Sequence, residues 1–203
     1  MTSIVDYASL QTSLANWLHR ADLTAMIPDF IGIAEGTLSA DLDARPMDIR
    51  TNLTATAGNA YVTLPSDMLE MKRLILVTDP IYVLRYETPD QLSTDYPSLS
   101  IVGKPTVFTV IGSQIQLAAT PDTNYTLELT CRQRVPSLTS TNTTNWVITN
   151  FPNAYLWAAL CAAQPFIQND ARLPLFKQMY SEAIAAINSI DWYSGSSMRV
   201  RAR

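Results

Sequence analysis

The chain has 203 residues, 47% of them apolar and 16% charged, with a net charge of −4. That length suits one large domain or two small ones, and it buries on the order of 70% of the unfolded surface. The acidic balance argues against a general nucleic-acid binder, which shows a basic patch or stripe, and no run approaches the roughly 18 apolar residues of a membrane span.

The first segment, DYASLQTSLANWLHRADL, has helical periodicity. Tyr7, Leu10, Leu14, Trp17 and Leu18 form one apolar stripe, and Ser3 or Asp6 caps its start. Asp22 and Thr24 mark a break. A second helix carries Pro28 in its first turn and presents Ile27, Phe30, Ile31, Ala34, Leu38 and Leu42 on one face. It ends before Pro46, because the residue preceding a proline is pushed out of the helical region. Residues 1–45 are therefore predicted to form a helical hairpin.

From residue 46 to 149 the chain is predicted to form an inserted antiparallel β domain, rich in Thr, Val, Ile, Leu and Tyr. DIRTNLTAT and AYVTL, separated by Gly58-Asn59, read as a hairpin. A turn at Pro65-Ser66 leads into a third strand, and IYVLRYE is a fourth. TPDQLSTDYP reads as a short helix starting near Thr88. PTVFTVIG, SQIQLAA and NYTLELTCRQRV complete about seven strands. In the last of these, Tyr125, Leu127, Leu129 and Cys131 alternate with Thr126, Glu128, Thr130 and Arg132, the pattern of one buried and one wet face. The expected architecture is an antiparallel meander or small sandwich. Residues 136–145, PSLTSTNTTN, form a polar loop of a length that is often functional or mobile, followed by an apolar anchor at Trp146, Val147 and Ile148.

Helix returns over residues 150–193. Asn150 is the expected cap of a helix with Pro152 in its first turn and slim alanine faces at Ala154, Ala158, Ala159, Ala162 and Ala163. Pro165 ends or kinks it. Asp170 is the expected cap of a last helix with a stripe of Phe176, Met179, Tyr180, Ala183, Ile184 and Ile187, closed by Trp192 and Tyr193. Neither helical pair buries its stripe well alone, so the two pairs are expected to pack on each other. The predicted fold class is α+β: a helical bundle made by the N- and C-terminal helix pairs, an inserted antiparallel β domain, and a flexible tail at 194–203.

Catalytic signatures are scarce. The single histidine, His19, lies off the apolar stripe and reads as a surface residue, so a Ser-His-Asp triad has no support. No Cys/His cluster has metal-ligand spacing, and the six glycines are scattered rather than gathered into a phosphate loop. Asp41, Asp43, Asp48 and Glu70 are the carboxylates from which an envelope hydrolase would have to be built, and the reading of Asp41 and Asp43 is a solvated helix end. No metal or cofactor is expected. The opening residues lack a charged n-region followed by an apolar h-region, so no secretory leader is expected, Cys131 and Cys161 are expected as free thiols, and the N-x-T triplets at Asn52, Asn124 and Asn142 as chance matches.

The tail poses the one open question. Gly195, Ser196 and Ser197 form a hinge before Met198, Arg199, Val200, Arg201, Ala202 and Arg203, so an acidic chain ends in three arginines. Such a tail is either an inert disordered end, a weak phosphate contact, or a docking peptide whose arginines form bidentate pairs with carboxylates. In extended form, ten residues reach about 33 Å.

Several stretches resemble the head-to-tail adaptor proteins of tailed bacteriophages, the group that includes the tail tubular protein A of short-tailed phages. They are YASLQTSLANWLHRADLTAMIPDFIGIAEGTL, LPSDMLEMKRL, GKPTVFTVIGSQIQLAATPDTNYTLELTCRQRVPSL and TNWVITNFPNAYLWAALCAA. The resemblance implies a non-enzymatic virion protein, made in the host cytoplasm, that forms a ring of twelve copies beneath the portal. Its partners would be the portal protein, further copies of itself, a tail or nozzle protein, and double-stranded DNA passing without specific binding. By position, Gly195–Arg203 matches the extension that docks on the portal in several members. The alternatives are a carbohydrate- or receptor-binding module on the β domain, with the 136–145 loop as its site, and the carboxylate-dependent hydrolase.

Overall fold

The computed structural model describes residues 3–98, 100–166 and 172–190. The chain is mixed α and β, and it divides into two compact units: Met1–Met47 with Val135–Arg203, and Asp48–Arg134.

In the helical unit, α1 (Tyr7–Leu18) starts at a reciprocal cap. Asp6 accepts from the Ser9 amide at 2.8 Å and Ser9 Oγ accepts from the Asp6 amide at 2.9 Å. Leu10, Leu14 and Leu18 are its buried apolar positions, four residues apart, as helical periodicity requires. It stops at His19, whose φ of 51° is left-handed. A 3-10 segment, Ala21–Met26, leads into α2 (Ile27–Asp41), with Pro28 in the first turn, where a missing amide proton costs nothing.

The helix α3 (Pro89–Asp95) belongs to the other unit. After it come α4 (Trp146–Asn150), α5 (Pro152–Ala162) and α6 (Leu173–Ile190). The cap expected at Asn150 sits five residues earlier. Asn145 Oδ1 accepts from the Val147 and Ile148 amides, so the apolar anchor is itself a helical turn, and Asn150 lies at its end. The cause is Phe151, which breaks the helix at φ −137° before Pro152. α5 packs against α1, α2, α4 and α6, which explains why it is apolar nearly all round. Its buried Ala154, Ala158 and Ala159 let the neighbouring axes approach closely. Phe176, Ala183, Ile184 and Ile187 of α6 join the same core as Leu14, Phe30, Leu38 and Tyr155. Asp170, Trp192 and Tyr193 lie outside the described residues.

The β unit contains β1 (Asp48–Ala55), β2 (Tyr61–Thr63), β3 (Met68–Leu76), β4 (Tyr82–Val83), β5 (Arg85–Tyr86), β6 (Val102–Gly103), β7 (Val107–Ile111), β8 (Gln114–Ala118), β9 (Thr120–Pro121) and β10 (Tyr125–Gln133). One four-stranded sheet runs β1-β10-β3-β4, a second runs β2-β8-β7-β5, and β6 pairs with β9. The expected first hairpin does not form, because β1 pairs with β10 and β2 with β8. The turn between them crosses from one sheet to the other. Asn124 Oδ1 holds the Ala57 amide, Pro121 O holds the Gly58 amide, and Gly58 takes φ 76°.

A meander is likewise ruled out, since the last long strand is inserted between the first and third. The pairs β5–β7 and β6–β9 are parallel, and the others are antiparallel. The two larger sheets share one core. Ala55, Leu74, Leu76, Leu127, Leu129 and Cys131 of the first meet Val62, Phe108, Ile115 and Leu117 of the second. The alternation read in β10 holds, with Leu127, Leu129 and Cys131 fully buried. The segment IYVLRYE is not one strand. It breaks at Leu84 and contributes a short edge to each sheet. Thr88 caps α3, and Leu92 of α3 packs on Val107 and Ala118.

Candidate functional site

A buried polar arrangement in the helical unit lies where the 136–145 loop meets α2 and α5. Glu35 interrupts the apolar stripe of α2, four residues after Ile31 and three before Leu38, so helical geometry turns its carboxylate inward. Glu35 Oε1 accepts from the Leu138 amide at 2.7 Å and from the Tyr155 hydroxyl at 3.1 Å. That hydroxyl accepts from Asn145 Nδ2 at 2.8 Å, and the same nitrogen donates to Pro136 O at 2.7 Å. One turn further along α2, Ser39 Oγ accepts from the Val135 amide at 3.2 Å. The Tyr7 amide of α1 donates to Thr143 O at 2.9 Å.

The loop is thereby fastened at its entrance, its third residue, its eighth and its exit. A length that suggests a mobile or binding loop is here held by buried partners instead. Burial is the first reason the Tyr155 phenol is pushed far above its ordinary range, and the neighbouring Glu35 carboxylate adds to it. The chemistry of this cluster is that of a clamp: a charged acceptor gathers donors that burial would otherwise leave unpaired.

The four carboxylates considered for hydrolysis are occupied or solvated, and they are divided between the units. Asp41 Oδ2 accepts from the Tyr180 hydroxyl at 2.8 Å, and Asn188 bridges the Asp41 carbonyl and the Asp43 amide, tying the end of α2 to α6. Asp48 pairs with Lys72 at 2.7 Å in the β unit. Glu70 is exposed on β3 opposite Arg132. His19 is exposed at the end of α1. Cys131 is buried in the β unit and Cys161 half-buried in the helical unit, both free. Burial raises both thiols above their ordinary range. Among the described residues, no group of three or more His, Cys, Asp or Glu side chains could hold a metal ion.

The helical unit also has an apolar cleft of ≈ 550 Å³ beside Ile4, Trp17, Leu156 and Trp157, with Ser13, Asn16, His19 and Arg172 around it. Trp17, Trp157 and Phe176 make mutual ring contacts at 5.4–6.3 Å, and the Arg172 guanidinium lies 5.6 Å from the Phe176 ring centre. The cleft offers shape and a mostly apolar surface. The proposed tail residues, Met198, Arg199, Val200, Arg201 and Arg203, and the hinge Gly195, Ser196 and Ser197, lie outside the described residues.

The class of the protein is decided by kinship. Residues 5–201 match the SU10 adaptor protein family. The chain belongs to that family. The match agrees with the adaptor class implied by the stretches quoted above, and it marks the chain as a phage structural adaptor and a virion component. No curated protein matches the chain. The adaptor's described helices include none long and apolar enough to cross a membrane. Sequence reasoning missed Glu35, Tyr155 and Asn145. The signal for Glu35 was present, as the one acid set within the apolar stripe of α2.

Proposed function

We propose that this adaptor joins head to tail in a short-tailed phage, in the manner of tail tubular protein A. Twelve copies form a ring under the portal, continue the DNA channel and carry the tail or nozzle protein. The observation that carries this reading is the family match, which spans nearly the whole chain and runs through the tail to Arg201. A tail included in a family-wide pattern fits the docking reading better than that of an inert end. The helix pairs from both chain ends form one bundle in this reading, with the β domain inserted between them, and the protein is not an enzyme. A net charge of −4 suits a channel past which DNA slides without being gripped.

Each tail supplies few contacts, and its strength comes from number. Twelve tethers on one ring gain avidity of 10²-fold or more without new contacts. In this role Arg199, Arg201 and Arg203 pair with carboxylates of the portal, while Met198 and Val200 fill apolar positions between them. Deleting Ser196–Arg203 should abolish binding to portal rings while leaving the circular dichroism spectrum and melting temperature unchanged. A truncated protein that joins the portal as well as the full chain overturns the tether. Electron microscopy of portal rings mixed with the full chain tests the ring itself, with a twelvefold layer expected.

A further inference from the structure

The apolar cleft of the helical unit combines an unmet polar group with a rim of one charge sign. Trp17 of α1 and Leu156 and Trp157 of α5 give it an apolar lining, and its volume of ≈ 550 Å³ is that of sites that enclose large side chains or small ligands. Ser13 also lines it. That residue is only 9% exposed, and among the described residues its hydroxyl has no hydrogen-bond partner. A bound group that bonds this hydroxyl relieves a buried polar atom. The ionisable groups among the described lining residues are His19 and Arg172, with no acid among them. The Arg172 guanidinium lies over the Phe176 ring, and Asp22, close to His19 in sequence, is paired with Arg20. In a chain of net charge −4, a cleft of this kind selects a segment that carries large aromatic side chains beside a carboxylate.

That chemistry occurs in the chain at Asp191, Trp192 and Tyr193, which follow α6 directly. The arginines further on are no match, since they would meet Arg172 with like charge. The buried stripe of α6 runs through Phe176, Ala183, Ile184 and Ile187, and helical spacing carries it next to positions 190 and 191. Periodicity therefore assigns Trp192 and Tyr193 no place on that stripe. Reach decides which copy receives them. Arg172 stands at the cleft immediately before α6, and the 18 residues of α6 carry the chain about 27 Å away from it. The far end is pinned where Asn188 bonds the Asp41 carbonyl and the Asp43 amide. Three further residues, fully extended, span at most about 11 Å, so the segment cannot return to the cleft of its own chain. We propose that Asp191, Trp192 and Tyr193 of one copy dock in the cleft of the next copy in the ring, with the aromatic rings against Trp17 and Trp157 and the Asp191 carboxylate on Arg172. The proposal rests on the ring reading given above. Donor segment and receiving cleft are different surfaces of one chain, and such a heterologous contact repeats around a ring instead of closing a symmetric pair. Two buried aromatic side chains supply about 300–500 Å², less than the roughly 800 Å² that each partner gives a stable pair. The contact therefore persists where ring closure or the portal repeats it.

The test uses the full chain assembled on portal rings. With Trp192→p-benzoylphenylalanine, irradiation should join two adaptor chains, and the adduct should map to peptides that contain Trp17 or Trp157. Asp191→Lys and Arg172→Glu should each lower ring assembly about tenfold, since each sets like charges against one another at the contact. Both changes in one chain should restore assembly, a rescue that a purely structural role of Arg172 would not give. The Arg172→Glu chain should melt close to the parent temperature, because Arg172 is exposed. Rings whose photoadducts form within one chain, with the portal or another protein, or not at all, overturn the exchange between copies while leaving the adaptor reading intact, and so does a double variant that fails to recover. A parent chain that forms no ring on the portal sinks the adaptor reading and this contact with it.

Discussion

Glu35 joins three elements through one oxygen atom. Replacing it by alanine leaves the Leu138 amide and the Tyr155 hydroxyl buried without an acceptor, a loss of about 3 kcal/mol at the rate expected for buried unsatisfied groups. Glu35→Gln keeps the acceptor and should cost about 1 kcal/mol. Urea midpoints for the two variants check the difference, and equal losses would mean that the carboxylate acts by charge rather than by accepting. Tyr155 and Tyr180 make stability depend on alkaline pH. Burial, followed by the Glu35 carboxylate for Tyr155 and by the Asp41 hydrogen bond for Tyr180, holds both phenols protonated above the ordinary range. Below the unfolded value of about 10 both states keep these protons and the full stability is present. Above it the unfolded chain releases them first, so stability falls as pH rises. Midpoints measured from pH 8 to 11 should show that fall, and Tyr155→Phe should lessen it, leaving the part that Tyr180 contributes.

Among the elements, β10 and α5 occupy corresponding positions in their units, each with the largest share of neighbours. β10 pairs on both sides, with β1 and β3. Leu129→Ala removes a fully buried side chain from the core that the two sheets share, and should cost about 2–5 kcal/mol. Leu69→Ala on the exposed face of β3 should change stability by no more than about 0.5 kcal/mol. The turn from β1 to β2 depends on Gly58. An added Cβ there meets nothing within 4 Å, so Gly58→Ala is opposed only by its positive φ and should cost about 1 kcal/mol. A loss much larger than that would show that the turn shifts. The helices carry the corresponding logic. The slim faces of α5 were visible in its alanines. The clamp on the 136–145 loop was not, because Ser, Thr and Asn in a loop look alike whether they bond water or a buried carboxylate.

At the scale of the whole molecule, the division into two units predicts that the β unit folds alone. Its register, its core cluster and its Asp48–Lys72 pair are all internal to Asp48–Arg134. A chain of residues 48–134 should therefore show a cooperative thermal transition and dispersed amide resonances. A molten spectrum would mean that it borrows stability from the helical unit. The helical unit has a different dependence, since Leu14, Phe30 and Tyr155 come from opposite ends of the sequence and share one core. Cutting the chain before Val135 should unfold it.

By itself, the sequence determined the periodic elements. The stripe of α1, the alternation of β10, the proline-led starts of α2 and α5 and the Thr88 cap of α3 are local consequences of side-chain spacing and backbone sterics. Its similarity to phage adaptors also carried the class. Only the tertiary structure decided which strand meets which. Alternation in β1 and β2 is satisfied equally by a hairpin and by two sheets facing each other, because either arrangement buries one face. Likewise, an acid inside an apolar stripe reads as a flaw until Leu138 and Tyr155 arrive from more than a hundred residues away to donate to it. Pairings between distant residues leave no periodic trace in the chain, and that is where sequence reading stops.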